Sequence, residues 1–327
     1  MEVFRSVLAD QDWDFKIDYP SKHFLIGSCF SEHIGNRLAQ AKFDSLLNPF
    51  GILYHPEVIS RTLFRLLDND VYKEKDLEFI NDRYVSFDHH GFFNHPDKEI
   101  ALAAINSAFT SGRNHLLTSD YCYITWGTSF AYAFKKEENK LVSNCHKIPS
   151  TQFIKVRSNT EDILGVYRKL FTRLLDSRPK LKIILSVSPV KHLRDGLIEN
   201  NLSKATLLLA ADQLAKEFSS VYYFPSFELL QDDLRDYRFY AKDLAHPNDI
   251  AIDYIWEYFK RNLWSERTFA IYKKIRPLIQ SLEHRPLHPE NKSFLKFKEE
   301  SAKKLQELEK EYPFLDLSSE KMQLASK

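Results

Sequence analysis

The sequence is short of several things, and each shortage excludes a class of function. Among 327 residues there are 3 cysteines, 2 methionines and 8 glycines. Three cysteines (Cys29, Cys122 and Cys145) are too few and too odd in number for a disulfide framework, which points to a reducing, cytoplasmic setting. Charge of one sign is also missing: 46 Lys and Arg stand against 45 Asp and Glu, a formal net charge of +1. Such a chain carries no overall field to draw in nucleic acid or anionic lipid, so neither partner is expected. No apolar run is long enough to cross a bilayer. The opening MEVFRSVLADQDWDFKIDYP lacks the basic start and apolar stretch of a secretory leader. Repeats and low-complexity tracts are absent. The histidines of the polar 70–98 segment, His89, His90 and His95, have no standard ligand spacing and read as a solvated loop. No metal and no organic cofactor is expected.

What is present is a core and an alternation. Hydrophobic residues make up 43% of the chain, enough to bury one large α/β domain with an appendage. Short β-branched and aromatic runs at 23–28, 43–47, 121–126, 181–188 and 221–224 predict strands. Between them, helical spacing predicts helices over 31–41, 57–67, 98–110, 158–175, 203–218 and 249–262. Ser158 with Glu161 fits a capping box. Alternating strands and helices predict a parallel sheet covered on both faces, with ligands at the carboxyl ends of the strands. From about 265 the texture becomes charged and helical, with HRPLHP (284–289) as a joint. The expected division is a main α/β domain over 1–262 and a helical extension over 263–327 packed on it. The Lys/Glu-rich stretch 292–311 reads as a solvated helix face.

Four strand ends carry the polar residues that chemistry needs. The first, Gly27-Ser28-Cys29-Phe30, offers a hydroxyl at a helix start, where backbone N–H groups point outward and can hold an oxyanion. A serine there is ordinarily a helix cap, and the nucleophile reading gains from its company. Cys29 reads as a small apolar filler that faces away if Ser28 faces the site. Asn48-Pro49-Phe50-Gly51 and Trp126-Gly127-Thr128-Ser129 each set a glycine N–H beside a polar side chain. Asp243-Leu244-Ala245-His246 places a carboxylate and an imidazole where a turn brings them side by side, fixing the tautomer and leaving one nitrogen to take a proton from Ser28. Pro247 and Asn248 supply the turn and a cap for the next helix. Trp126 either lines a pocket or closes the sheet top. Asn144, Cys145 and His146 either line the site or satisfy a structured loop.

The run FLIGSCFSE closely resembles the signature of the GSCFA family, a branch of the SGNH/GDSL hydrolases. NPFGILYHP (48–56), TWGTSFAY (125–132), NCHKIP (144–149), SVSPV (186–190) and DLAHP (243–247) resemble the same family in order, over roughly residues 20–260. The resemblance implies a three-layer flavodoxin-like fold, Ser28 as nucleophile, His246 as base and Asp243 orienting it. It also implies the Ser28 and Gly51 N–H groups as oxyanion donors. The wider superfamily's third donor, an Asn in a Gly-x-Asn-Asp block, is replaced here by Gly127-Thr128-Ser129, which leaves Thr128 or Asn144 for that place. Asn48, Trp126 and His146 are the candidate substrate contacts. The expected activity is hydrolysis of a small O-acyl ester, an acetyl group on a carbohydrate being the example the family suggests. An acyltransferase on the same triad and a catalytically silent scaffold are the alternatives.

Overall fold

The computed structural model describes residues 5–136, 140–283 and 292–326. The expected joint at 284–289 lies outside them. The strands are β1 (Lys22–Gly27), β2 (Asp44–Leu47), β3 (Glu78–Ile80), β4 (Arg83–Val85), β5 (Tyr121–Trp126), β6 (Phe130–Phe134), β7 (Lys140–Val142), β8 (Phe153–Arg157), β9 (Lys182–Val187) and β10 (Val221–Phe224). The helices are α1 (Cys29–Gln40), α2 (Pro56–Asp68), α3 (Lys98–Thr118), α4 (Thr160–Ser177), α5 (Gly196–Glu217), α6 (Ser226–Glu228, running into a π-helical stretch over Leu229–Leu234), α7 (Asp249–Leu263), α8 (Glu266–Glu283), α9 (Lys292–Glu311) and α10 (Ser318–Ser326).

The central sheet has five strands in the order β10-β9-β5-β1-β2. The β1/β5, β5/β9 and β9/β10 pairs are parallel. Counted along the chain and read from the β2 edge, the order is 2-1-3-4-5, the flavodoxin-like arrangement, as expected. Its topological switch lies between β1 and β5, so their carboxyl ends flank the crevice where such sheets bind ligands. Period-two packing is clear. Phe24 and Ile26 of β1, Cys122, Ile124 and Trp126 of β5, and Ile183, Leu185 and Val187 of β9 enter one core with Ile59, Leu63, Ile105, Phe109, Leu170 and Leu207 of the helices. The alternate residues Leu25, Tyr123 and Ile184 are buried too, as strands covered on both faces require.

The strands read from sequence are all present, and several helices run longer than expected. The predicted capping box at Ser158 shifts by one residue. Asn159 caps α4 and pairs reciprocally with Asp162, because the Ser158 hydroxyl is already engaged by Glu57 and by the His55 ring. Two β structures were not expected. One is the β3–β4 hairpin. The other is an antiparallel sheet in the order β7-β6-β8, inserted between β5 and α4. The 70–98 segment is not a solvated loop throughout: His89 is fully buried against Phe50, Tyr72 and Phe93.

The chain divides into two compact units. The first holds Met1–Ala9, Lys22–Asn36 and Ser45–Trp256; the second holds Asp10–Ser21, Arg37–Asp44 and Glu257–Lys327. Within the second, Ile17 bridges Trp264 in parallel and exchanges backbone hydrogen bonds with Leu263 and Ser265. Tyr19 stacks on Phe43 at 4.5 Å. This unit therefore draws on N-terminal segments as well as on the charged C-terminal helices. No helix among the described residues is long and apolar enough to cross a membrane.

Candidate functional site

Asp243 and His246 are brought together by a tight turn before α7. Leu244 takes a left-handed conformation, φ 58°, which curls the chain so that both the Ala245 and His246 N–H groups donate to Asp243 Oδ1 at 3.0 Å. His246 Nδ1 donates to Asp243 Oδ2 at 2.6 Å. Those three donors, the His246 and Ala245 amides first, hold the Asp243 carboxyl down at about 2. The loop is anchored on both sides: Lys191 N–H donates to the Ala245 carbonyl at 3.1 Å, and Asn248 caps α7 through Ala251 N–H at 3.1 Å. With Nδ1 committed, Nε2 is the acceptor of the neutral ring.

His246 stands in the wall of a cavity of about 560 Å³. Tyr54, Phe130 and Tyr132 give it aromatic walls, and Thr128, Asn144, His192 and Arg194 give it polar ones. Cys29 also lines it. Ser28 does not. Its side chain is 0% exposed, and its Oγ has no hydrogen-bond partner among the described residues. A buried hydroxyl left unpaired costs about 1–3 kcal/mol, so the turn carries Ser28 at a price.

The reason lies in β1 itself. Gly27 has φ +146°, and a Cβ there would sit 2.2 Å from the Thr125 carbonyl oxygen. The chain thus leaves the sheet hard against β5. Ser28 N–H donates to that same Thr125 oxygen at 3.0 Å, and the Ser28 Cβ lies against Gly127. One residue on, Cys29 opens α1 and turns to the cavity. The sequence expectation that Cys29 faces away while Ser28 faces in is therefore reversed in this structure.

Other expected site residues are redistributed. The Ser28 N–H is spent on the sheet, as above. The Gly51 N–H donates to the Asn48 carbonyl at 2.8 Å, so neither of these two amides is offered to an oxyanion. Asn48 is buried and closes the turn, accepting from Gly27 N–H at 2.9 Å, outside the cavity wall. Trp126 is core: fully buried, with its indole N–H donating to the Tyr167 hydroxyl at 2.8 Å. His146 is tied to the Ser86 carbonyl at 2.8 Å and to Asn94 at 3.1 Å, and it too lies off the wall. Thr128 is on the wall, but its hydroxyl pairs with Ser203 at 3.0 Å and accepts from Phe130 N–H at 3.1 Å. Asn144 is on the wall; its Oδ1 accepts from His146 N–H at 2.8 Å. That bond holds the side chain while its amide nitrogen makes no bond among the described residues.

Sequence reasoning missed the support behind the wall. Lys204 is 1% exposed, and its Nζ donates to the Gly127 and Ser188 carbonyls, both at 2.6 Å. Burial pushes its ammonium down to about 7, with Cys29 acting the other way. The two carbonyls take up two of its N–H donors. The signal was in the sequence: Asn200, Ser203, Lys204, Leu207, Ala211 and Leu214 recur at helical spacing and are all buried. A lysine on that stripe was a core lysine in waiting. His192 was missed as well. It meets Tyr54 edge-on at 5.7 Å and is pushed down to about 4 by burial, so it faces the cavity neutral.

No group of three or more His, Cys, Asp or Glu side chains among the described residues could hold a metal ion. A model of the GSCFA family matches residues 22–259, and one of the GSCFA domain protein, C-terminal domain, matches residues 275–327. A search of curated proteins found no match. Among solved structures, a Streptococcus pneumonia chain described as a platelet activating factor is similar at 12% identity and TM-score 0.40, over 77% of this chain and 87% of that one. A carbohydrate esterase family 3 protein from Talaromyces cellulolyticus is similar at 10% identity and TM-score 0.34, over 80% and 99%. A mutant acetyl esterase with acetate ion is similar at 12% identity and TM-score 0.33, over 80% and 100%. Scores this low leave the chemistry to be read from the cavity itself.

Proposed function

The chain belongs to the GSCFA family, and from that premise we propose that it is an ester hydrolase that removes small O-acyl groups through a covalent acyl-enzyme. The observation that carries the reading is the Asp243–His246 pair, 2.6 Å apart, with its ring in the wall of a cavity that also reaches the start of α1. His246 Nε2 takes the proton of the nucleophile at the β1–α1 turn, gives it to the departing alcohol, and then activates water for deacylation. Asp243 holds the tautomer and supports the imidazolium formed on the way.

Of the oxyanion donors first expected, Asn144 is kept in this scheme, and two backbone amides join it. The N–H groups of Cys29 and Phe30, at the open end of α1, have no main-chain partner among the described residues, and the amide nitrogen of Asn144 is unengaged on the same wall. Helix-terminal amides of this kind stabilise developing negative charge. Tyr54, Phe130 and Tyr132 provide flat apolar faces suited to a sugar ring, which favours a carbohydrate as the alcohol portion. No cofactor enters this scheme.

The test is turnover of p-nitrophenyl acetate and of acetylated sugars. His246→Ala is expected to lower kcat on the order of 10³-fold, within the range of general acid–base contributions. Asp243→Asn is expected to lose less, since it misorients the base without removing it. Wild-type rates in the His246→Ala protein, or no turnover of any acyl ester by the wild type, would sink the proposal.

A further inference from the structure

The ester-hydrolase reading leaves the attacking atom to be decided between two neighbours, and the geometry points to the Cys29 sulfur. We propose that the Cys29 thiol, and not the Ser28 hydroxyl, attacks the acyl carbonyl, so that the intermediate is a thioester. This rests on the hydrolase reading above and deepens it.

Four observations converge. Cys29 lines the same cavity as His246, whereas Ser28 is sealed at 0% exposure beneath the β1–β5 junction. Cys29 is the first residue of the 12-residue helix α1. The amides of Cys29 and Phe30 both act on its sulfur, so the atom sits where the helix offers unpaired N–H groups. Behind it, the buried Lys204 interacts with the sulfur from α5, while its Nζ is held by Gly127 and Ser188. Finally, the amides expected to serve a Ser28 oxyanion, those of Ser28 and Gly51, are consumed by Thr125 and Asn48.

The charges around the sulfur do not all favour the thiolate. Burial, foremost, and Glu32 of α1 push it up; Lys204 and the two amides pull it down, and the balance is raised. Tyr54, from the segment before α2, is itself pushed up to about 12, by burial first and then by Cys29 and Glu32. A thiol held this way is quiet at rest and depends on a partner base, which is the role His246 fills. In acylation His246 Nε2 takes the thiol proton, the C–S bond forms, and the carbonyl electron pair moves to oxygen. Collapse expels the alcohol, which leaves with the proton from His246. In deacylation water gives a proton to His246 as it attacks the thioester, and the C–S bond breaks. The acid departs, and the sulfur recovers its proton. Ester and water become acid and alcohol with nothing left over.

The experiment traps the intermediate. Wild-type protein is mixed with p-nitrophenyl acetate, quenched in acid and mapped by peptide mass spectrometry. A parallel sample is treated with neutral hydroxylamine, which cleaves thioesters far faster than oxygen esters. The expected result is an acetyl group on Cys29 that hydroxylamine removes. Cys29→Ala is expected to lose on the order of 10³-fold or more in kcat, and Ser28→Ala less than about tenfold. Unfolding midpoints establish that both variants fold; if Cys29→Ala does not, the wild-type map decides. An acetyl group on Ser28 that resists hydroxylamine, or a folded Cys29→Ala protein turning over at the wild-type rate, overturns the assignment and leaves the hydrolase reading standing. A wild type that neither turns over nor acylates removes both.

Discussion

Two turns flank the switch point of the sheet, and in the sequence they read alike. Gly27-Ser28-Cys29 follows β1 and Gly127-Thr128-Ser129 follows β5. The structure makes them opposites. After β5 the groups are tied down: Gly127 and Thr128 N–H donate to the Tyr54 carbonyl at 2.8 and 3.3 Å, Ser129 N–H donates to the Ser203 hydroxyl at 2.8 Å, and the Gly127 carbonyl accepts from Lys204. After β1, Ser28 N–H is tied to Thr125, and the next two amides are left open at the head of α1. A strand-end glycine beside a polar residue thus specifies no donor. What matters is whether a neighbouring carbonyl or hydroxyl has already claimed the N–H.

That contrast can be broken by substitution. The largest effect is expected from Gly27→Ala, because its Cβ would meet the Thr125 backbone at 2.2 Å and φ +146° is closed to it. Destabilisation above about 4 kcal/mol, or failure to fold, is expected in urea unfolding. A well-folded Gly27→Ala protein would remove the tight β1–β5 exit from the account. Next is Lys204→Met. In the folded chain Lys204 sits at about 7, against 10.5 for the free side chain. Between those values the unfolded chain holds a proton that the folded chain has released. Wild-type stability should therefore rise with pH from 7 to 9 relative to the variant, by up to about 1.4 kcal/mol per pH unit. A flat difference between the two proteins would mean that the lysine keeps its charge. Ser203→Ala should cost about 1–3 kcal/mol by stranding Ser129 N–H, with little change in substrate preference. The smallest effect is expected at Gly127→Ala, about 1 kcal/mol. There the new Cβ meets the Tyr54 and Ser28 side chains at 3.0–3.3 Å rather than backbone at 2.2 Å.

The strands and the Asp243–His246 pairing were legible because both are local or periodic, whereas the flavodoxin-like sheet order was carried by the family resemblance. Apolar runs such as HFLIG and LKIILSV can only be buried strands here, and a three-residue spacing across a turn brings a carboxylate to an imidazole. Which way a side chain points at a strand exit is neither. Ser28 and Cys29 differ by one step, and the step is set by how closely β1 approaches β5. Trp126 carried no outward sign of its fate, because a core partner, Tyr167, was needed to satisfy its indole. Lys204 was readable in principle from its place on the α5 stripe. The β6–β8 sheet was hidden by short strands broken by polar turns, whose pairing is long-range.

That inserted sheet has a consequence for how such a protein diverges. Phe130, Ala131, Tyr132, Val142, Asn144 and Cys145 reach the cavity from residues 130–145, while the acid–base turn and the head of α1 come from elsewhere in the chain. On the proposed reading, a large share of the wall that would meet the substrate therefore lies on a stretch of sequence separate from the groups that would break the bond, and substitutions in the inserted sheet are expected to alter substrate preference more than rate.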